Sequence, residues 1–261
     1  MKLSIIILNY NTAKITLDCL ASIEKYPFSN NFEVILVDNA STDESHEILS
    51  KFRTKNYKYV FLQNSSNDGF SKGNNIGLKK SKGTYKLLLN SDTKVTRNAL
   101  DRLIQTAEEE SNIGIIGARL LNKDGSVQDS VFRLPTIIRS IQSYLLGNNI
   151  LSKYAPNVKI PVEVEAVVGA AMLLTPEALK KVGTLDEKYF MYFEDLDYCR
   201  AVRKAGLKVF YEPRAEIIHL HGASGVSDWR RLIPSSKLYH GRLRHYLIFL
   251  ITWLGSKINQ H

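Results

Sequence analysis

The sequence predicts an α/β fold: a mostly parallel central sheet flanked by helices, followed by a basic, aromatic helical tail. Three observations predict it. Residues 3–8, 32–37, 57–62 and 85–89 are short apolar runs, as expected of strands buried on both faces. Helical patterns separate them, which predicts right-handed crossovers between parallel neighbours. The runs end in polar clusters, Asn9-Tyr10-Asn11, residues 38–43 and Asn90-Ser91-Asp92. In such sheets ligands bind outside the carboxyl ends of the strands, so three polar clusters on one edge mark a site.

Each element follows in order. After the first strand, residues 13–25 place Leu17, Leu20 and Ile23 on one helical face. The second strand leads to residues 38–43, where Thr42 or Asp43 can cap the next helix. A polar, Gly-containing stretch from 64 to 77 leads into a helix near 74–81. In the second half, 113–121 and 126–133 are predicted strands joined by the turn Asn122-Lys123-Asp124-Gly125. Residues 136–157 are expected to be a mobile loop with a helical piece. Residues 162–174 are mostly apolar and interrupted by Gly169-Ala170-Ala171, and Pro176 opens a short helix to 181. A helical region over 190–204 precedes strands at 207–211 and 215–219. The expected organisation is one domain over 1–228 and an appended tail over 229–261.

Of the 261 residues, 44% are hydrophobic, enough for one sizeable core. Cys19 and Cys199 lie inside helical patterns and are expected to be core residues rather than a disulfide. The first strand begins at Leu3, so no secretory leader is expected. The most apolar tail window, 246–254, is about half of the roughly 20 residues needed to span a bilayer. These features predict a cytoplasmic protein, peripheral on the inner face of the cell membrane if the tail binds lipid. From Trp229 onward there are six Lys and Arg and no Asp or Glu, which leaves +3 of the net +9 on the remainder. Such a tail suits anionic headgroups, or equally a final helix packed on the body with a solvated basic face. Bases elsewhere are balanced by acids, which argues against a nucleic-acid partner.

Several residues can carry chemistry. Asp92, at a strand end, is a natural ligand for a hard divalent cation, Mn²⁺ or Mg²⁺; it can equally serve as the acid of a local Asx-turn. Glu194-Asp195-Leu196-Asp197 begins a helix among Tyr189, Phe190, Tyr192, Phe193 and Tyr198. Acids there complement the helix dipole, and aromatic neighbours would raise a carboxyl pKa toward that of a general base. Asp197 is in reach of Arg200 or Arg203 for an ion pair. His219 and His221 alternate along a strand, and one of them can complete a metal site with Asp92. The stretch Asp68-Gly69-Phe70-Ser71-Lys72-Gly73-Asn74 can offer helix N-terminal amides to a phosphate, although it matches neither the P-loop nor the dinucleotide fingerprint.

Taken in order, these motifs resemble those of family 2 glycosyltransferases with the GT-A fold. They are Ser4–Asn11, Val37–Asp43, Asn67–Gly77, Leu88–Asp92, Gly169–Leu173 and Phe190–Arg200. The chain is most similar to rhamnosyltransferase-like members that build surface polysaccharides, over about residues 3–225. The resemblance implies a donor-binding half over about 1–120 and an acceptor and catalytic half over about 121–228. It implies donor contacts from Asn9, Asn11, Asp38, Asn39, Gly69, Asn74, Asn90 and Ser91. Asp92 and His219 would hold the divalent cation, with His221 as the other candidate. Asp195 would be the catalytic base, and Gly169, Ala170 and Glu194 would face the acceptor. Asn90 stands where the family's metal motif has its first Asp, which leaves Asp92 as the main carboxylate. The Gln-x-x-Arg-Trp motif of processive synthases does not follow Asp195. The implied activity is inverting transfer of a sugar, L-rhamnose from dTDP-rhamnose first and a hexose from a UDP-sugar second, to a glycan or lipid-linked acceptor. A nucleotidyltransferase would need a basic, Gly-rich loop after the first strand, where Asn9-Tyr10-Asn11 stands. A non-catalytic carbohydrate- or membrane-binding homologue would not need Asp92, Asp195 and His219 together.

Overall fold

The run from Leu3 to Asn9 forms β1, and every residue of it except Leu8 is buried. The computed structural model describes residues 1–220 and 229–258. After β1 come α1 (Ala13–Lys25), β2 (Phe32–Asp38), α2 (Ser45–Ser50), β3 (Lys58–Gln63), α3 (Gly69–Lys80) and β4 (Tyr85–Asn90). Next are β5 (Thr93–Val95), α4 (Ala99–Glu109), β6 (Ile113–Leu121), β7 (Val127–Gln128), β8 (Val131–Phe132) and α5 (Ile137–Tyr144). The chain continues through β9 (Val162–Val164), β10 (Ala166–Val167), β11 (Ala171–Leu174), α6 (Pro176–Lys181), α7 (Glu194–Lys204) and β12 (Lys208–His219). It closes with α8 (Trp229–His240) and α9 (Arg242–Ile258).

The main sheet runs β3-β2-β1-β4-β11-β6-β12-β5. β3, β2, β1 and β4 are parallel, and so are β6 and β12; β11 runs antiparallel between β4 and β6. Alternation along the strands splits the core in two. Ile5, Ile7, Leu87 and Leu89 face a cluster with α1 and α4, whereas Ile6, Leu88, Met172 and Leu174 face one with α6 and α7. Both cysteines are buried thiols in these layers. Truncating a fully buried residue such as Leu36 or Leu88 would cost about 2–5 kcal/mol.

Several elements depart from expectation. α3 begins at Gly69, five residues early, because its glycines are packing positions rather than loop. A Cβ on Gly73 would lie 2.5 Å from Leu8 Cδ1, and one on Gly77 2.5 Å from Ile6 Cγ2, so the helix sits directly on β1. The strand expected over 126–133 is two short ones, β7 and β8. The two strands expected around Pro213 are one, β12, with a register shift against β6 between Glu212 and Glu216. The buried Glu212 carboxylate accepts the backbone N–H of Arg214 at 2.8 Å and pairs with its guanidinium, which stabilises the bulge. Within 136–157 the helical piece is α5, capped by the Thr136 hydroxyl on the Arg139 N–H. Asp43 accepts the Ser45 N–H at 2.9 Å at the start of α2.

The tail helices pack on the body. α9 lies against α5 and α8, with Gly255 so close to the Tyr144 carbonyl that a Cβ would be 2.2 Å away. No helix among the described residues is long and apolar enough to cross a membrane.

Candidate active site

Parallel register sets Asn9 at the end of β1 beside Asp38 at the end of β2. Asn9 donates from Nδ2 to Asp38 Oδ1 at 2.7 Å and accepts from the hydroxyls of Thr12 and Thr16 at 2.9 and 2.7 Å. Asp38 also accepts the Ser41 hydroxyl and N–H. Asn39 donates to Asn67 and accepts from Asn64, both at 2.8 Å, which ties β2 to the approach to α3. Asn9, Asp38 and Asn39 are all buried, so they form a rigid polar framework. Above it Asn11, in the left-handed region at φ 55°, exchanges hydrogen bonds with Thr42 and is exposed beside Tyr10. Ala40 is also left-handed, at φ 60°. These two turns fold the β1 and β2 exits toward each other.

Gly69 and Asn74, expected donor contacts, lie under other parts of the chain. A Cβ on Gly69 would be 2.3 Å from the Phe190 carbonyl oxygen, and that oxygen accepts the Phe70 N–H at 2.6 Å. The Gly69 N–H is taken by Asn67 Oδ1 at 3.1 Å. Two amides of the expected phosphate cradle are therefore already engaged, and Phe190 fills the space that glycine leaves. Asn74 is buried and donates to the Phe70 carbonyl one turn back. The neighbouring Asn75 bonds the Leu185 carbonyl and N–H, clamping α3 to the segment before α7.

Pairing of β5 with β12 puts Thr93 opposite His219, and the Asp92 carbonyl accepts the Leu220 N–H at 2.8 Å. Asp92 Oδ1 then lies 3.5 Å from His219 Nε2, both side chains buried. The tautomer follows from a chain of amides. Asn122 Nδ2 donates to Ser126, so Asn122 Oδ1 accepts from Gln128 Nε2 at 2.9 Å. Gln128 Oε1 therefore faces His219 Nδ1 at 2.7 Å and accepts its proton. That turns Nε2 toward the Asp92 carboxylate. A carboxylate oxygen and an imidazole nitrogen 3.5 Å apart suit two ligands of one cation, and an acceptor on the distal nitrogen is the usual device for orienting a metal-binding histidine. The residues present thus fit a hard divalent ion that also takes ligands from substrate phosphates. His221, the other candidate, lies outside the described residues, and among those described no cluster of three or more His, Cys, Asp or Glu exists.

Asp195 lies in the first turn of α7, preceded by Tyr192 and Phe193 at φ 71° and 68°. Two bulky residues in the left-handed region are strained, a feature that clusters at functional sites. The Asp195 carboxylate accepts the Leu196 N–H at 2.8 Å and the Gly169 N–H at 3.1 Å. Burial raises its pKa above the usual aspartate value, while these two amides and the charge of Lys153 pull the other way. Glu194 is more deeply buried, and burial followed by the Asp195 charge holds its carboxyl well above the usual range. Its Oε2 accepts no hydrogen bond among the described residues. Ala170, an expected acceptor contact, is instead in the core; its carbonyl accepts the Asn90 N–H at 2.9 Å. Gly169-Ala170 therefore links the β4 end, which leads through buried Ser91 to Asp92, to the α7 end bearing Asp195. Asp197 pairs with Arg200, as its spacing predicts.

Sequence reasoning did not find Gln128, Thr12, Thr16, Ser41 or Lys153. The register of β7 against β6 brings Gln128 to His219, the turn into α1 brings Thr12 and Thr16 to Asn9, and the β2 exit brings Ser41 to both Asp38 and Asn9.

The glycosyl transferase family 2 model matches residues 4–183. Over 222 residues the chain is 28% identical to the low-salt glycan biosynthesis hexosyltransferase Agl10 of Haloferax volcanii, covering 83% of this chain and 66% of that one. It is 31% identical over 140 residues to the N-acetylglucosaminyl-diphospho-decaprenol L-rhamnosyltransferase of Mycobacterium tuberculosis, covering 51% and 46% of the two chains. The chain thus spans about two thirds of the first relative and about half of the second. Residues 1–349 of Staphylococcus aureus TarS superpose with a TM-score of 0.62 at 19% identity, covering 92% of this chain and 64% of that one. A Pyrobaculum calidifontis mannosyltransferase in complex with GDP-Man and Mn²⁺ superposes with a TM-score of 0.66 at 14% identity, covering 94% and 63%. The fold is accordingly that of the GT-A glycosyltransferases, and with a family model covering well over half of its length the chain belongs to glycosyltransferase family 2.

Proposed function

We propose that the chain transfers a sugar from a nucleoside-diphosphate donor to an acceptor hydroxyl, with inversion and with a divalent cation. The observation that carries this reading is the Asp92 carboxylate facing His219 Nε2 at 3.5 Å, on the same strand-end edge as the Asp195 carboxylate. Asp92 and His219 are the residues that would hold Mn²⁺ or Mg²⁺. When bound, such an ion supplies positive charge against the departing diphosphate.

The chain's own residues perform the remainder. The Asn9–Asp38–Ser41 framework fixes the rim where Tyr10 and Asn11 meet the nucleoside. Asp195, held by two amides, takes the proton of the acceptor hydroxyl as its oxygen bonds to the anomeric carbon. The bond from that carbon to the diphosphate oxygen breaks in the same displacement, so no sugar is bonded to the protein. Burial and the Asp195 charge favour the uncharged form of Glu194, which limits repulsion between the two carboxyls.

Donor choice rests on the relatives. The rhamnosyltransferase relative favours dTDP-rhamnose, with UDP-hexoses next, and a glycan or lipid-linked acceptor in surface polysaccharide assembly. Family membership favours this reading over a nucleotidyltransferase or a non-catalytic homologue. The test is calorimetric titration of UDP, dTDP, GDP and CDP, each with and without Mn²⁺. One nucleotide should bind only with metal, and Asp92→Asn should remove the metal-dependent part. Metal-independent binding of every nucleotide would overturn the metal assignment.

A further inference from the structure

α9 is turned inside out relative to an ordinary surface helix. Leu243, Tyr246, Leu247, Leu250, Trp253 and Leu254 follow each other at three- and four-residue spacing, one continuous stripe. All six are exposed, Leu243 by 89% and Trp253 by 50%. The opposite face carries His245, Ile251 and Gly255, and that is the face buried against the protein. His245 meets the Ser236 hydroxyl of α8 at 2.9 Å, and Gly255 abuts Tyr144 of α5. The neighbouring α5 leaves Ile138 and Ile141 uncovered as well. Apolar surface on this scale marks an interaction site.

Charge identifies the partner. Arg242 and Arg244 at the start of α9 and Lys257 at its end are exposed, and Lys237 of α8 sits 5.2 Å over the Tyr246 ring. From residue 229 to the end there is no Asp or Glu. A second copy would bring one cationic face against another, whereas an anionic lipid surface complements both the apolar stripe and its basic flanks. At 17 residues α9 does not cross a bilayer; it suits lying in the interface plane, with its Arg and Lys side chains reaching the headgroups.

The same helices hold the catalytic segment. The Ser235 hydroxyl of α8 donates to the Met191 carbonyl at 2.7 Å, and Arg200 of α7 donates to the Tyr239 carbonyl at 2.9 Å while stacking 3.9 Å over its ring. Arg231 lies 4.9 Å over the Phe190 ring. The surface of α9 is therefore fixed, through α8, to the stretch that carries Asp195.

We propose that the outward apolar face of α9, with its basic flanks, docks on an anionic lipid surface and holds the catalytic segment at a fixed position relative to it. The acceptor would then be presented by that lipid surface, a step that rests on the glycosyltransferase reading; the docking itself does not.

The full chain should be sedimented with vesicles of phosphatidylcholine alone and with roughly one third phosphatidylglycerol, while tryptophan emission is followed. Binding should require the anionic lipid, weaken with salt and shift the emission to the blue. Leu247→Asp/Leu250→Asp, which alters two exposed residues, should weaken vesicle binding by at least about tenfold. Nucleotide titration of the same variant, unchanged from the parent, would show that it is folded. Absence of vesicle binding by parent protein that binds nucleotide would overturn the docking and leave the transferase reading intact. So would undiminished vesicle binding by the variant, or a dimer that the variant splits without any lipid binding. Vesicle binding by protein that binds no nucleotide would support the docking and sink the transferase reading instead.

Discussion

Asp195 and Glu194 are adjacent carboxyls in different surroundings. Asp195 has two backbone donors, whereas Glu194 has an oxygen without a donor among the described residues. Asp195→Asn should therefore reduce transfer by about 10²–10⁴-fold, read in a sugar-transfer assay, with donor affinity by calorimetry unchanged. An equal loss of donor affinity would remove its role as base. Because burial raises the Asp195 pKa, the acid limb of the rate profile should lie above the ordinary aspartate value of about 3.9. Glu194→Gln mimics the protonated carboxyl and should alter the rate by less than about tenfold; a larger fall would mean that Glu194 ionises during turnover. On the metal side, Gln128→Leu deletes the acceptor that fixes the His219 tautomer. Mn²⁺ affinity measured with nucleotide should fall by about 10–100-fold while the protein stays folded. Asp92, Asp195 and His219 can be picked out as candidates from the sequence because each stands in a short local motif. Gln128 cannot, because its role depends on a hairpin register and a tautomer that no local pattern encodes.

The β1, β2 and β4 runs were legible because strands buried on both faces have no polar alternation to confuse them. β5 and α4 were missed. β5 has only three residues, whereas α4 carries a readable stripe of Leu100, Leu103 and Ile104 and lacks only a side-chain cap at the left-handed Asn98. The gap expected at 212–214 is a bulge within β12 that the Glu212–Arg214 pairing bridges. In the sequence Gly69 has the look of loop although it starts α3, since the contact that demands glycine comes from Phe190, far along the chain. Gly69→Ala would place a methyl group into that carbonyl at φ 80°, where only glycine is relaxed. It should destabilise the protein by about 1–3 kcal/mol in denaturant unfolding and lower the transfer rate by displacing the segment that leads to Asp195. Wild-type stability in that variant would show that Phe190 moves aside freely.

Over the molecule as a whole, α8 acts as a bracket between the catalytic segment and α9. His240 of α8 packs edge-on against Phe193 and Tyr239, and burial, followed by the charge of Arg200, lowers its pKa to about 4. An unfolded histidine titrates near 6.5, so between that pH and about 4 the unfolded chain binds more protons than the folded one. The stability from this group is present above pH 6.5 and lost as pH falls toward 4. Thermal midpoints across that window should decline less steeply in His240→Phe than in the parent; parallel slopes would show that His240 is not buried neutral. The sheet order has a further consequence. β11 lies between β4 and β6, so the strand that seals the middle of the sheet is made some eighty residues after β4. During synthesis, β1 to β4 can associate early, yet β4 presents Leu87, Leu88 and Leu89 along an open edge until residues 171–174 emerge. The nascent chain therefore passes through a long interval with a sticky hydrophobic edge, when a ribosome-bound chaperone or a slowed ribosome would matter most to its yield.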